Sequence, residues 1–456
     1  VTWDLRQGHV LDVLADLPAS SVHCIVTSPP YWGLRDYKLP PVTWPDGWTG
    51  HLGMEPTVEM WTAHLVEVLR AVRRVLRDDG VCWVNLGDSY SNETKWGGNS
   101  GGKNKHSSGD RSHRRTGHKP LDIIGQPWLL AFALRADGWY LRSDVIWAKP
   151  NPMPESVAGW RWERCRVKVS PGQRTQEQGY AQAGNHRDHT HGGVEAAPSP
   201  AWSPCPGCPR CAPNGGLVLR RGAWRPTKGH DYIFMLAKSP DYYADGVAVR
   251  ELSTERPSGN THAVLASERG RPGCQLARSI PYVPDGRGRN LRSVWTIATQ
   301  PSREAHFATF PEALVVPCIK AGTSERGVCA SCGAPWARVL ERRPTEQIQK
   351  KADGWATHPG GHGSYHRNGR ELGDPGQCVL ASVTYGWRPT CTCGDDSVPA
   401  TVLDPFAGSG TAGVVAVKLG RRFIGIELST PHCEMARRRI GEVAPLLSGQ
   451  VWEGKG

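Results

Sequence analysis

Three observations predict an α/β fold built on a mostly parallel sheet covered by helices. Short apolar, β-rich runs alternate with helically periodic stretches. A strand, a glycine loop, a helix and a second strand follow one another between Thr401 and Glu427. The two longest departures from this alternation each contain a tight cysteine group, which marks them as insertions organised by something other than an apolar core.

The elements follow in order. Residues 22–26 form a buried strand that ends at Thr27-Ser28-Pro29-Pro30-Tyr31-Trp32, where two prolines stop the ladder and deliver a rigid loop. Trp61, Leu65, Val68, Leu69, Val72 and Leu76 recur at helical spacing until Asp78-Asp79-Gly80, and residues 81–86 make the next strand. A third unit starts a helix at Pro127, stops it at Gly138 and continues as a strand over 140–147. Near the end, residues 401–403 are a strand, Asp404 to Thr411 (DPFAGSGT) a glycine loop, 412–419 a helix, and 422–426 a strand closed by Glu427.

At 456 residues the chain exceeds one ordinary core, so a catalytic domain with large insertions is expected. The 55 Lys and Arg against 43 Asp and Glu, a net charge of +12, suit a polyanionic partner. No run of eighteen apolar residues occurs and the first residues lack the apolar stretch of a signal peptide, so a cytoplasmic protein is expected. In such a reducing compartment, those of the fourteen cysteines that fall in C-x-C and C-x-x-C groups read as metal ligands rather than disulfides.

Gly408 and Gly410 let the backbone turn tightly and approach a ligand, and Glu427 at the next strand's tip is placed to accept from ribose hydroxyls. The Ser28–Tyr31 loop suits a different task. An exocyclic amine has its lone pair delocalised into the ring, and acceptors on its N–H groups let the nitrogen pyramidalise. Ser28 Oγ and the Pro29 carbonyl are such acceptors, Pro30 stiffens them, and Tyr31 offers a ring on which an extrahelical base stacks.

With both motifs present, the sequence resembles the DNA amino-methyltransferases of cytosine N4 and adenine N6, in the circularly permuted order of their β group. Further blocks are similar: Asn85-Leu86-Gly87-Asp88-Ser89, IWAKPNPMPES at 146–156, HDYIFMLAKS at 230–239 and FPEAL at 310–314. The resemblance implies a Rossmann-like S-adenosylmethionine-dependent fold. It also implies cofactor contacts from Asp404, Phe406, Gly408, Gly410, Thr411 and Glu427, with Ser28, Pro29, Pro30 and Tyr31 holding the target amine of a base flipped out of double-stranded DNA. The family has Gly-Asp after the first strand where this chain has Gly8-His9, so either His9 or Asp12 meets the adenine ring. Ser at position 28 favours cytosine N4, with adenine N6 the alternative and an inactive zinc and DNA-binding protein a third reading. RNA is a weaker substrate, and a cognate restriction endonuclease is a possible partner.

Carbon-5 cytosine methylation needs a Pro-Cys thiolate, and Pro317-Cys318 supplies the dipeptide, but in an apolar helical run where a buried cysteine is the ordinary reading.

Cys205, Cys208 and Cys211 converge as C-x2-C-x2-C and need a fourth Zn²⁺ ligand, with Cys165 preferred over His189 and His191. Cys329, Cys332, Cys391 and Cys393 pair two tight turns in the manner of a zinc ribbon, each followed by a glycine, Gly333 and Gly394. Both sites would be structural. The expected layout is a catalytic part over 1–160 with a basic loop at 91–120, a cysteine-bearing insertion over 161–225, and the rest of the catalytic half over 226–324. A zinc-ribbon-like insertion at 325–396 and a cofactor-binding part at 397–456 follow. The insertions and the basic 250–290 segment would read DNA.

Overall fold

A computed structural model describes residues 2–34, 36, 39, 41–91, 117–152, 154–155, 157–169, 201–251, 289–300, 310–344 and 380–443. The basic stretch 92–116, His189 and His191, and the basic 252–288 lie outside the described residues. Contacts divide the chain into two compact units: residues 1–151 with 230–456, and residues 152–229.

The first unit is an eight-stranded sheet with helices on both faces. In chain order its elements are β1 (Trp3–Gln7), α1 (Val10–Ala15), β2 (Val22–Thr27), α2 (Val58–Val75), β3 (Leu76–Leu86), α3 (Gln126–Ala136) and β4 (Tyr140–Ala148). Then come β5 (His230–Ala237), β6 (Val294–Thr296), α4 (Glu312–Gly322), β7 (Thr401–Asp404), α5 (Thr411–Lys418), β8 (Arg422–Glu427) and α6 (Thr430–Val443). The sheet order is β1-β8-β7-β2-β3-β5-β4-β6. Every pairing is parallel except the two made by β5, which runs against both neighbours. This is a Rossmann-like methyltransferase sheet in permuted order.

Residues alternate between two cores, as a strand covered on both faces requires. Cys82, Val84 and Leu86 of β3 join Trp61, Leu65 and Leu69 of α2 and Leu130 and Leu134 of α3. Val81 and Trp83 join Leu314 and Ile319 of α4, Val415 of α5 and Ile440 of α6. The predicted α2 stripe is buried throughout, and Thr57 caps the helix by accepting from the Met60 N–H at 3.2 Å.

One boundary differs from expectation. Asp78-Asp79-Gly80 does not separate helix from strand, because β3 already begins at Leu76, paired with Val22. The register shifts before Cys24 pairs with Val81, so the three residues are taken up in an irregularity of the ladder. A Cβ on Gly80 would stand 2.9 Å from the His23 carbonyl oxygen, which explains the glycine.

The chain moves from β7 to β8 in one direction across the sheet and from β2 to β3 in the other. The β7/β2 boundary is therefore a topological switch point, where the carboxyl ends of two parallel strands leave a crevice for a ligand.

Candidate active site

Both sequence motifs emerge at that boundary. β2 ends at Thr27 and opens the Ser28–Tyr31 loop, and β7 ends at Asp404 and opens the glycine loop. The Thr27 hydroxyl donates to Asp404 Oδ1 at 2.7 Å, and the Phe406 N–H donates to the same oxygen at 3.0 Å. Asp404 Oδ2 is buried with no hydrogen-bond partner. Burial pushes this carboxyl up to about 7, against partial relief from Thr27 and Phe406.

Glu427, at the tip of β8, accepts from the Gly408 N–H with Oε2 and from the Ser429 N–H with Oε1, both at 2.8 Å. Each oxygen keeps a lone pair for a ribose hydroxyl. Gly408 has φ of 51°, a left-handed turn that favours glycine. At Gly410 the backbone also approaches protein closely, since a Cβ there would lie 2.8 Å from Ala436 Cβ of α6. Thr411 is buried, and its hydroxyl takes Arg439 Nη1 at 3.3 Å. Phe406 is half-buried against the α1–α3 core.

His9 is half-buried and packs edge-on to Trp44 at 5.1 Å, with a buried Nε2 that has no partner; burial lowers its pKa. Asp12 is exposed. Of the two residues considered for the adenine ring, His9 is thus the one with an unspent buried polar atom. That atom, the Asp404 Oδ2 and the free lone pairs of Glu427 fit the polar groups of an adenosyl cofactor.

The Ser28–Tyr31 loop is held from several directions. The Trp61 indole N–H donates to the Pro30 carbonyl at 2.9 Å, and the Gly33 N–H donates to the Gly53 carbonyl at 2.8 Å. Tyr31 OH lies 3.4 Å from Ser28 Oγ and 3.3 Å from Asn85 Oδ1, and Asn85 in turn donates to the Tyr232 carbonyl at 3.0 Å. A Cβ on Gly87 would stand 2.9 Å from Tyr31 Cε2 and 2.8 Å from Asp231 Oδ1, so the NLGDS block is glycine where the Tyr31 ring lies against it.

Sequence reasoning missed a buttress beneath this loop. Glu55 is fully buried and accepts from the Gly53 N–H at 2.7 Å and from His64 Nδ1 at 3.0 Å, while its own carbonyl takes the Trp32 indole at 2.9 Å. His64 stacks on Trp44 at 4.3 Å, and Trp44 is the ring that meets His9. A single carboxylate in a short loop has no periodicity to betray it. Thr27 was equally silent, since it reads as the last residue of a strand.

Cys318 is buried in α4, its thiol donating to the Leu314 carbonyl at 3.4 Å, and burial pushes its pKa far above the usual thiol range. It is not a thiolate nucleophile.

Eight of the fourteen cysteines form two sets of four, Cys165/Cys205/Cys208/Cys211 and Cys329/Cys332/Cys391/Cys393, with the sulfurs of each set within 4.8 Å of one another. Cys165 therefore joins its set, as preferred. Cys208 Sγ lies 3.9 Å from Cys165 Sγ and 3.6 Å from Cys211 Sγ, and no disulfide occurs among the described residues. Gly333 and Gly394 take the left-handed φ expected after such turns, 70° and 79°. The Ala334 N–H draws Cys332 down to about 7, while Cys332 itself raises Cys393 to about 12. Four such sulfurs ionise together only when a cation offsets them.

The second set sits at the amino ends of the strands. His23 Nε2 donates to the Gly333 carbonyl at 3.1 Å, Arg77 Nη1 to the Cys332 carbonyl at 2.8 Å, and the Thr401 N–H to His23 Nδ1 at 3.0 Å. This cysteine turn is fastened to the end of the sheet opposite the two loops.

The family model for DNA methylases that act on N6 and N4 matches residues 22–330 and 398–438. The chain belongs to this DNA amino-methyltransferase family. It is 40% identical over 447 residues to the type II methyltransferase M.SfiI of Streptomyces fimbriatus, covering 97% of this chain and 91% of that protein. Against the type II methyltransferase M.Cfr9I of Citrobacter freundii it is 30% identical over 437 residues, covering 96% and 87%. Against M.SmaI of Serratia marcescens it is 29% identical over 434 residues, covering 95% and 89%. No described helix is long and apolar enough to cross a membrane.

Proposed function

We propose that this methyltransferase transfers a methyl group from S-adenosylmethionine to the N4 amine of cytosine in double-stranded DNA, at a specific sequence and on a flipped-out base. The observation that carries the proposal is the Thr27–Asp404 hydrogen bond, which locks the amine-holding loop to the cofactor loop at the switch point.

Asp404, Phe406, Gly408, Glu427 and His9 would hold the cofactor, with Gly410 and Thr411 shaping its loop. The bound cofactor supplies an electrophilic methyl group on a sulfonium. Tyr31 stacks the extrahelical base, and Ser28 Oγ and the Pro29 carbonyl accept from the amine N–H groups, so that the nitrogen lone pair turns out of the ring. Ser28 Oγ and the Pro29 carbonyl would hold the amine N–H groups in place, and the surplus proton of the methylated amine would pass to solvent water. Asn85 orients Tyr31, and the Trp61 indole keeps the Pro30 carbonyl from shifting.

Ser28 favours cytosine N4 over adenine N6, where Asp or Asn is more common at that position. We further propose that both cysteine sets bind structural Zn²⁺, since four thiolates leave no open coordination site. The type II names of the relatives favour a cytoplasmic restriction-modification role with a cognate endonuclease. Expression in a methylation-free bacterium, followed by reading of modified bases and their context in genomic DNA, tests the proposal. N4-methylcytosine in one sequence is the expected result; N6-methyladenine would select the alternative, and unmodified DNA would point to an inactive DNA-binding protein.

A further inference from the structure

Among its described residues, the unit formed by residues 152–229 buries little apolar surface, with Cys211 and Val218 its buried apolar side chains. Two antiparallel ribbons, Arg161–Arg164 with Leu217–Arg220 and Arg166–Val169 with Ala201–Pro204, meet at its cysteine set. The Cys205 N–H donates to the Cys165 carbonyl and the Cys165 N–H to the Gly216 carbonyl, both at 2.9 Å. Around this centre the surface is unusual. Trp160, Trp162, Trp202 and Trp224 are 68%, 53%, 60% and 71% exposed, and among the described residues these are all the exposed tryptophans of the chain.

Charge accompanies the indoles. Residues 152–229 carry eleven Lys and Arg against five Asp and Glu. Glu163 pairs with Arg161 and Arg220, and Glu155 with Arg225. Strand alternation puts Trp162 and Arg164 on the other face of the ribbon from that ion-paired set. Arg164 and Arg166 are exposed with no carboxylate partner among the described residues, and the Arg221 guanidinium lies 4.9 Å above the Trp160 ring.

Four indoles left in water on one small unit are exposed apolar surface of the kind that marks an interaction site. Indoles interleaved with guanidinium groups match duplex DNA, whose grooves offer apolar contacts such as the thymine methyl and whose phosphates offer negative charge. The basic excess selects that polyanion over a neutral protein surface. We infer that the tryptophan and arginine surface of residues 152–229 is a second DNA-binding surface, in addition to the loops that take the target base. The inference rests on the methyltransferase reading for the identity of the DNA.

Full-length Trp160→Ala/Trp162→Ala and Arg164→Gln/Arg166→Gln proteins would be titrated, by fluorescence anisotropy at several salt concentrations, with a duplex bearing the methylated sequence and with a shuffled duplex. S-adenosylmethionine affinity and zinc content, both expected to match the wild type, report intact folding. The arginine variant is expected to lose at least tenfold affinity for both duplexes and to show a salt slope reduced by about 0.9 for each phosphate contact removed. The tryptophan variant is expected to lose at least tenfold affinity for the duplex with the methylated sequence. Affinities within twofold of wild type in both variants would overturn the inference. So would a change of oligomeric state by light scattering with DNA binding unchanged, which would assign the surface to a protein partner. Failure of the methyltransferase reading is seen separately, as wild-type protein that binds DNA but modifies no base.

Discussion

Thr27 Oγ1 and Asp404 Oδ1 stand 2.7 Å apart although 377 positions separate them in the sequence. The bond joins the last residues of two neighbouring parallel strands, so the loop that follows each strand starts from a shared, buried anchor. Replacing Thr27 by Val removes the donor while keeping the shape. Loss of a hydrogen bond to a buried carboxyl costs about 1–3 kcal/mol. Denaturant unfolding should show that loss, and single-turnover kinetics should show slower methyl transfer. Wild-type values in both would mean that the anchor is not used.

The Asp404 carboxyl, raised to about 7 by burial, gives a signed pH dependence. Its folded pKa lies above the unfolded value, so its contribution to stability is complete below about pH 4 and is lost as the pH rises through about 7. Asp404→Asn cannot titrate. The stability of wild type relative to this variant should therefore fall between pH 4 and 7 and level off above; a constant difference across that range would contradict the burial account.

How much of this was legible in the sequence depends on the kind of signal. The parallel sheet, α2 and the glycine loop were readable because burial on one helix face or on both strand faces imposes a period, and because DPFAGSGT needs its left-handed turn. The packing of Gly410 against α6 was not legible, since a glycine needed for contact with a helix looks the same in sequence as one needed for a ligand. Cys165 was found because thiolate chemistry demands a fourth ligand. Glu55, His64 and Thr27 were not found, because their importance lies in contacts across loops that carry no period.

Glu55 supports the Ser28–Tyr31 loop through the Gly53 N–H, His64 and Trp32. Glu55→Ala leaves the Gly53 N–H and His64 Nδ1 without their acceptor and should destabilise the protein by about 1–3 kcal/mol. It should also raise KM for DNA while S-adenosylmethionine affinity stays within a few-fold. Glu55→Gln, which keeps one acceptor, should recover much of the DNA affinity. Equal loss in both variants would show that the buttress is not what matters.

Cys329→Ser with Cys332→Ser should release one of two zinc ions by elemental analysis and lower the melting temperature. The turn they form holds His23 and Arg77 at the amino ends of β2 and β3, so the loss should reach the sheet itself. Protein that contains no zinc before substitution would refute both metal sites.

The central claim is that Ser28 and Tyr31 present an exocyclic amine, rather than a ring carbon, to the methyl donor. Mass spectrometry of nucleosides from duplex DNA methylated by the purified protein, wild type beside Ser28→Ala and Cys318→Ser, tests it directly. The expected result is N4-methylcytosine from wild type and from Cys318→Ser, and far less from Ser28→Ala. Detection of 5-methylcytosine, lost in Cys318→Ser and retained in Ser28→Ala, would contradict the account.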